Sequence, residues 1–80
     1  MNTTIKPQYR IQLIGVGRCN AKLVKDLQIG DEIIYNYGYT ATVTKMARRG
    51  KNQMVFITES NGKRYQSVKN LSTAIAVKGL

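Results

Sequence analysis

Apolar residues recur along the whole chain in short bursts separated by glycines and polar turns, a pattern of strands rather than of long helices. Ile11-Gln12-Leu13-Ile14 is a brief apolar run ended by Gly15-Val16-Gly17, and predicts a first strand. Across residues 20–27, Asn20 offers an N-cap, and Leu23, Val24 and Leu27 fall at helical spacing. This predicts a turn of helix, or an irregular turn of the same length, stopped at Gly30. From Glu32 onward the chain reads as a meander. Residues 32–37 are rich in Ile and Tyr, which suit a pleated strand. Gly38 permits a bend before the β-prone run Thr40-Ala41-Thr42-Val43-Thr44-Lys45-Met46. Arg48-Arg49-Gly50-Lys51-Asn52 is a polar turn, and Met54-Val55-Phe56-Ile57-Thr58, the most hydrophobic stretch, is the expected central strand. Asn61-Gly62 is a strong hairpin signal, because both residues tolerate the positive φ of a type I′ turn. Residues 63–68 return as its partner, Asn70-Leu71-Ser72 forms a short turn, and Thr73-Ala74-Ile75-Ala76-Val77 closes the sheet.

About five or six short strands are too few for a two-sheet sandwich of ordinary size but can form a strongly bent barrel, which hides its edges. The expected fold is all-β: a small SH3-like barrel of antiparallel strands with at most one short helical turn near residues 20–27, an OB-like barrel being the second choice. With 80 residues the chain has room for one domain, and residues 1–8 read as a flexible or edge arm. A hydrophobic fraction of 42% argues against disorder. The lone Cys19 rules out an intramolecular disulfide and fits a reducing cytoplasm. No run of signal-peptide type is visible, and no stretch reaches the roughly 20 apolar residues of a membrane span.

Charge changes the picture most. Thirteen Lys and Arg against four acidic residues, with no histidine, give +9. A domain this small carries that excess on its surface, and its natural partner is a polyanion: RNA or DNA first, an acidic protein or ribonucleoprotein surface second. A membrane surface is disfavoured, since the chain has no tryptophan and no long amphipathic helix. The basic residues fall in three groups. Lys45, Arg48, Arg49 and Lys51 surround one turn, in a segment with no acid between Ile33 and Thr58. Lys63 and Arg64 follow the Asn61-Gly62 turn, and Arg10, Arg18, Lys22 and Lys25 lie in the N-terminal third. An isolated lysine is ordinarily a solvated side chain. Three charges on a hairpin tip repel one another without helping the fold, so a binding role stands there on equal terms with the solvated reading, and arginine grips phosphate in bidentate fashion.

Tyr35, Tyr37 and Tyr39 fall on one face with Ile33 if Gly38 leaves the two-residue period intact. That face is either core or an aromatic strip on which bases stack, at roughly 1–3 kcal/mol per base. The expectation is a split, with Ile33 and Tyr35 mostly buried and Tyr37 and Tyr39 near the surface.

Catalysis has little to stand on. Without histidine the commonest general base and metal ligand is missing. Cys19 reads as a partly buried structural thiol, with Arg18 beside it. Asp26, Asp31 and Glu32 crowd one turn, but Asp26 and Asp31 are better read as acceptors of turn N–H groups than as a metal site. Gly15-Val16-Gly17 lacks the third glycine and the βαβ length of a dinucleotide loop, although Gly17-Arg18 can still offer donors to a phosphate. No cofactor and no metal are expected.

The phrase Lys25-Asp26-Leu27-Gln28-Ile29-Gly30-Asp31-Glu32-Ile33-Ile34 resembles the D-L-x-x-G-D-x-I entry of many small β-barrels. With Tyr35-Asn36-Tyr37-Gly38-Tyr39 and Leu71-Ser72-Thr73-Ala74-Ile75-Ala76-Val77, it resembles small SH3-like proteins of bacteriophages and mobile elements over residues 23–77. The entry also resembles that of self-splicing Hint domains, whose chemistry needs a histidine that this chain lacks. The resemblance implies a phage or bacterial origin and a binding role, often modulation of host machinery such as nucleic-acid or defence complexes.

Two functions are therefore expected to compete. One is a non-catalytic module binding RNA or DNA through Lys45, Arg48, Arg49, Lys51, Lys63, Arg64, Arg18, Tyr37 and Tyr39. The other is a phage-encoded inhibitor or adaptor docking on a host protein or ribonucleoprotein. Either a monomer or a homodimer is compatible with the chain, the charge opposing close pairing.

Overall fold

Every pairing in the structure, a computed structural model that describes residues 9–80, is antiparallel, and most of the described residues lie in strands. The expected N-terminal arm lies outside the described residues. Seven strands occur among the described residues: β1 Tyr9–Leu13, β2 Gly17–Leu23, β3 Glu32–Ile34, β4 Thr40–Arg49, β5 Gln53–Ser60, β6 Lys63–Asn70 and β7 Ala74–Ala76. They form a three-stranded sheet, β1-β2-β7, and a four-stranded sheet, β3-β4-β5-β6. An Ile33–Val77 bridge and a hydrogen bond from the Lys78 N–H to the Glu32 carbonyl (2.9 Å) join β3 to the chain leaving β7. The all-β expectation holds, with seven strands instead of five or six. Among the described residues the strands run as a curled ribbon with β1 at one end and β6 at the other. No helix among them is long and apolar enough to cross a membrane.

The expected short helical turn near residues 20–27 is confined to its second half. Residues 20–23 belong to β2, which pairs with β1 on one side and β7 on the other, and only Val24–Asp26 turns, as a short 3₁₀ segment. The physical reason is hydrogen bonding. Eight residues form too few intrahelical bonds to offset helix nucleation, whereas β2 satisfies its backbone through ladders on both sides. The spacing of Val24 and Leu27 is still used, because the 3₁₀ turn delivers both to the core. Its N–H groups are held by the far end of the chain, Val24 by Thr73 O (2.9 Å) and Lys25 by Leu71 O (3.1 Å).

The core is Val24, Leu27, Ile33, Val43, Met54, Phe56 and Val77, with Met46, Leu71 and Ile75 packed at its margin. Strand β5 supplies its central wall. Met54, Phe56 and Thr58 alternate inward, and Val55 and Ile57 face the other way. Between Val43 and Lys45 the β4–β5 register slips by one residue, and the Thr44 hydroxyl at that bulge donates to the Ile57 carbonyl at 3.4 Å. Such a bulge bends a long strand, and β4 is the longest at 10 residues. The entry turn is fixed by Asp31, whose carboxylate accepts the Gln28 N–H at 2.8 Å and pairs with Lys22 of β2. The expected acceptor role is thus filled by Asp31.

Candidate nucleic-acid interface

The tyrosine-bearing segment is a loop where a strand was expected. Strand β3 stops at Ile34, and Asn36–Gly38 forms a 3₁₀ turn in which Tyr37 has φ 65° and Gly38 φ 83°. Positive φ at two successive positions breaks the two-residue alternation, so the three tyrosines do not share a face. Instead the Tyr35 N–H donates to the Tyr39 carbonyl at 2.7 Å and closes the neck of the loop. Tyr35 and Tyr39 stand at the neck and Tyr37 at the tip.

The tip is docked on the β1–β2 turn. Tyr37 N–H donates to Ile14 O (2.7 Å), and Ile14 N–H donates to the Asn36 side-chain carbonyl (3.0 Å). A Cβ at Gly15 would stand 2.9 Å from the Tyr37 ring, so glycine there lets the ring lie close over the turn backbone. Tyr37 is thereby placed beside Ile14 and Val16, away from the other tyrosines.

Tyr35 and Tyr39 meet a third aromatic, Tyr65 of β6, across a groove of about 480 Å³. Tyr35 was expected to be mostly buried and is 38% exposed; Tyr39 and Tyr65 are 72% and 51% exposed. The loop lifts Tyr35 off the core wall, because the strand that would have carried its ring inward ends one residue earlier. Lys63 and Asn61, from the β5–β6 hairpin, line the same groove. That hairpin forms as expected, with Asn61 at φ 51° and Gly62 at φ 77°.

The register of β5 and β6 explains why Tyr65 and Lys63 point into the groove. Tyr65 lies opposite Thr58, Ser67 opposite Phe56 and Lys69 opposite Met54, so all three share the face on which β5 packs the core. Lys63, two residues before Tyr65, is on that face too. Since β6 is an edge strand, the core does not cover this row, and Lys63, Tyr65 and Lys69 are exposed. Arg64 takes the opposite face and pairs with Glu59 at 3.5 Å. The dipeptide Lys63-Arg64 is split between two surfaces.

The expected basic tip is separated from the tyrosines. Tyr39 precedes β4, whereas Arg48 and Arg49 end it and Lys51 lies in the following turn. About 30 Å of extended chain intervenes at the usual rise of a strand. Within the tip, Arg48 lies opposite Met54 on the core-facing side, while Arg49 and Lys45 lie opposite Gln53 and Ile57 on the outer side. Arg18 and Arg10 occupy the face of the β1–β2 hairpin opposite Ile11 and Leu13, and Cys19 is half-buried as expected. The structure therefore brings Tyr39 and Lys63 together, and leaves Tyr37, Arg18, Arg64 and the Lys45–Arg49 face outside their groove. Sequence reasoning missed Tyr65 and Lys69. The available signal was their spacing: Lys63, Tyr65, Ser67 and Lys69 alternate after a well-defined hairpin turn.

The arrangement offers aromatic faces of three tyrosines beside an ammonium group, with no histidine in the chain and no group of three metal-ligating side chains among the described residues. Chemically it can stack planar rings and neutralise phosphate. No protein-family model, no curated protein and no solved structure matches this chain.

Proposed function

We propose that the protein is a non-catalytic module that binds single-stranded RNA or DNA, with bases stacked in the groove of Tyr35, Tyr39 and Tyr65. The observation that carries this reading is the convergence of three partly exposed tyrosines with Lys63 on one groove, in a chain of charge +9. Tyrosine rings stack on any base, and the surrounding cations hold the backbone through counterion release. Paired bases have their faces occupied by their neighbours, so the groove selects single strands. The lone free Cys19 suits a cytoplasmic setting.

A second reading, an adaptor or inhibitor of phage type that docks on a host protein or ribonucleoprotein, draws on the exposed apolar tip formed by Ile14, Val16 and Tyr37.

Fluorescence anisotropy separates the two. Octamers of uridine and of thymidine are expected to bind at 50 mM salt, a duplex of the same length at least ten-fold more weakly, and a polyglutamate peptide of equal charge should not displace them. Equal affinity for the duplex, or displacement by the peptide, would reduce the protein to a general polyanion binder. Capture of one host protein that survives nuclease treatment, with no oligonucleotide binding, would favour the second reading.

A further inference from the structure

The tyrosine groove has a neighbour at Tyr35. A second groove, of about 210 Å³, opens along the seam between the two edge strands, with Ile11 and Leu13 of β1 on one side and Ser67 and Lys69 of β6 on the other. Tyr35 and Ser67 line both grooves, so the two adjoin along that wall. Along the β6 wall the row reads Lys63, Tyr65, Ser67, Lys69, exposed except for the half-buried Ser67 and about 20 Å from first to last at the rise of a strand. Beyond it, Arg48, Met54 and Lys69 form one cross-strand row, in which Lys69 lines the groove and Arg48 stands two strands away.

Building on the proposed single-strand binding, we propose that the β1–β6 seam is a second nucleotide subsite of the same strand. The strand enters at Lys63, stacks its first bases against Tyr39, Tyr65 and Tyr35, and passes over Ser67. It lays the next base on Ile11 and Leu13 and sets its following phosphate on Lys69. The order is cation, aromatic, apolar, cation, which matches the alternation of phosphate and base along one strand and fits neither an acidic peptide nor a duplex. The site takes on the order of four nucleotides, the small end of the range for single β-barrel modules. Ser67 serves as the threshold. Its small side chain is little obstacle between the two grooves, and among the described residues β1 and β6 each pair on one side only.

The test is a length series of oligothymidine and oligouridine, from two to eight nucleotides, titrated against the full chain and against Lys69→Glu and Lys69→Gln. Lys69 is exposed, so both variants should fold, and their Tm values check this. In the wild type, affinity should climb at least ten-fold between two and five nucleotides and then level off. Lys69→Glu should lower hexamer affinity ten-fold or more while changing dinucleotide affinity less than two-fold, and Lys69→Gln should flatten the salt dependence by about 0.7 in log–log slope, one phosphate contact. A wild type that binds dinucleotide and hexamer equally well would overturn the second subsite and leave the tyrosine site standing. So would a Lys69→Glu variant that weakens all lengths alike. If the wild type binds no oligonucleotide of any length, the underlying reading fails first, and the two failures are told apart.

Discussion

Thr58 is the residue at which this fold is least satisfied. Its side chain is fully buried between Val43 and Tyr65, and its hydroxyl has no hydrogen-bond partner among the described residues. A buried hydroxyl without a partner costs on the order of 1–3 kcal/mol. Valine has nearly the same shape without that polar atom. Thr58→Val should therefore stabilise the domain by about 1 kcal/mol, read as a Tm increase of about 4–8 °C for a chain of this size. A fall in Tm instead would show that a buried water satisfies the hydroxyl. The same residue lies under the tyrosine groove, opposite Tyr65, so oligonucleotide affinity in this variant should stay within two-fold of wild type.

At the scale of elements, the β1–β2 turn positions the loop of residues 35–39. Gly15 has φ +75° and its backbone lies against the Tyr37 ring. Gly15→Ala meets both a left-handed backbone and a clash, and is expected to cost about 1–2 kcal/mol. Because Tyr37 lies outside the groove, oligonucleotide binding measured below the new Tm should be largely retained; a loss matching that of a tyrosine-groove variant would place Tyr37 in the site. Elements with a local cause were legible in the chain. The Asn61-Gly62 hairpin follows from two residues that accept positive φ, and the inward alternation of Met54, Phe56 and Thr58 from the period of a half-covered strand. Where the cause is tertiary, reading failed. Residues 20–23 take a helical pattern into a strand because two neighbouring strands pair with it, and Tyr35 emerges because β3 ends at Ile34. The site itself was half legible. Tyr39 and Lys63 are conspicuous, but that Tyr65 faces them depends on β6 folding back over β5 as an uncovered edge.

The charge belongs to the whole molecule. Its principal extents are 36 × 31 × 20 Å. At 10 mM salt the screening length of about 30 Å lets every cation act across the whole domain, and at 100 mM it shrinks to about 10 Å. The +9 field therefore steers any polyanion from a distance, but it does not choose the place of contact. Arg64 is offset by Glu59 and Lys22 by Asp31, whereas Lys63 and Lys69 flank the aromatic row. The account thus divides the labour: the summed charge sets the salt dependence, and the tyrosines set the affinity that persists when salt is raised. The measurement that reaches this division most directly is the affinity for a uridine octamer between 50 and 300 mM salt, for wild type and for Tyr39→Ala/Tyr65→Ala. Two or three phosphate contacts predict a log–log slope of about −2 for both proteins. The double variant should be weaker by roughly 2–6 kcal/mol, at about 1–3 for each of two stacked bases, by the same amount at every salt concentration. Equal affinities of the two proteins, or a difference that vanishes as salt rises, would contradict stacking in the tyrosine groove.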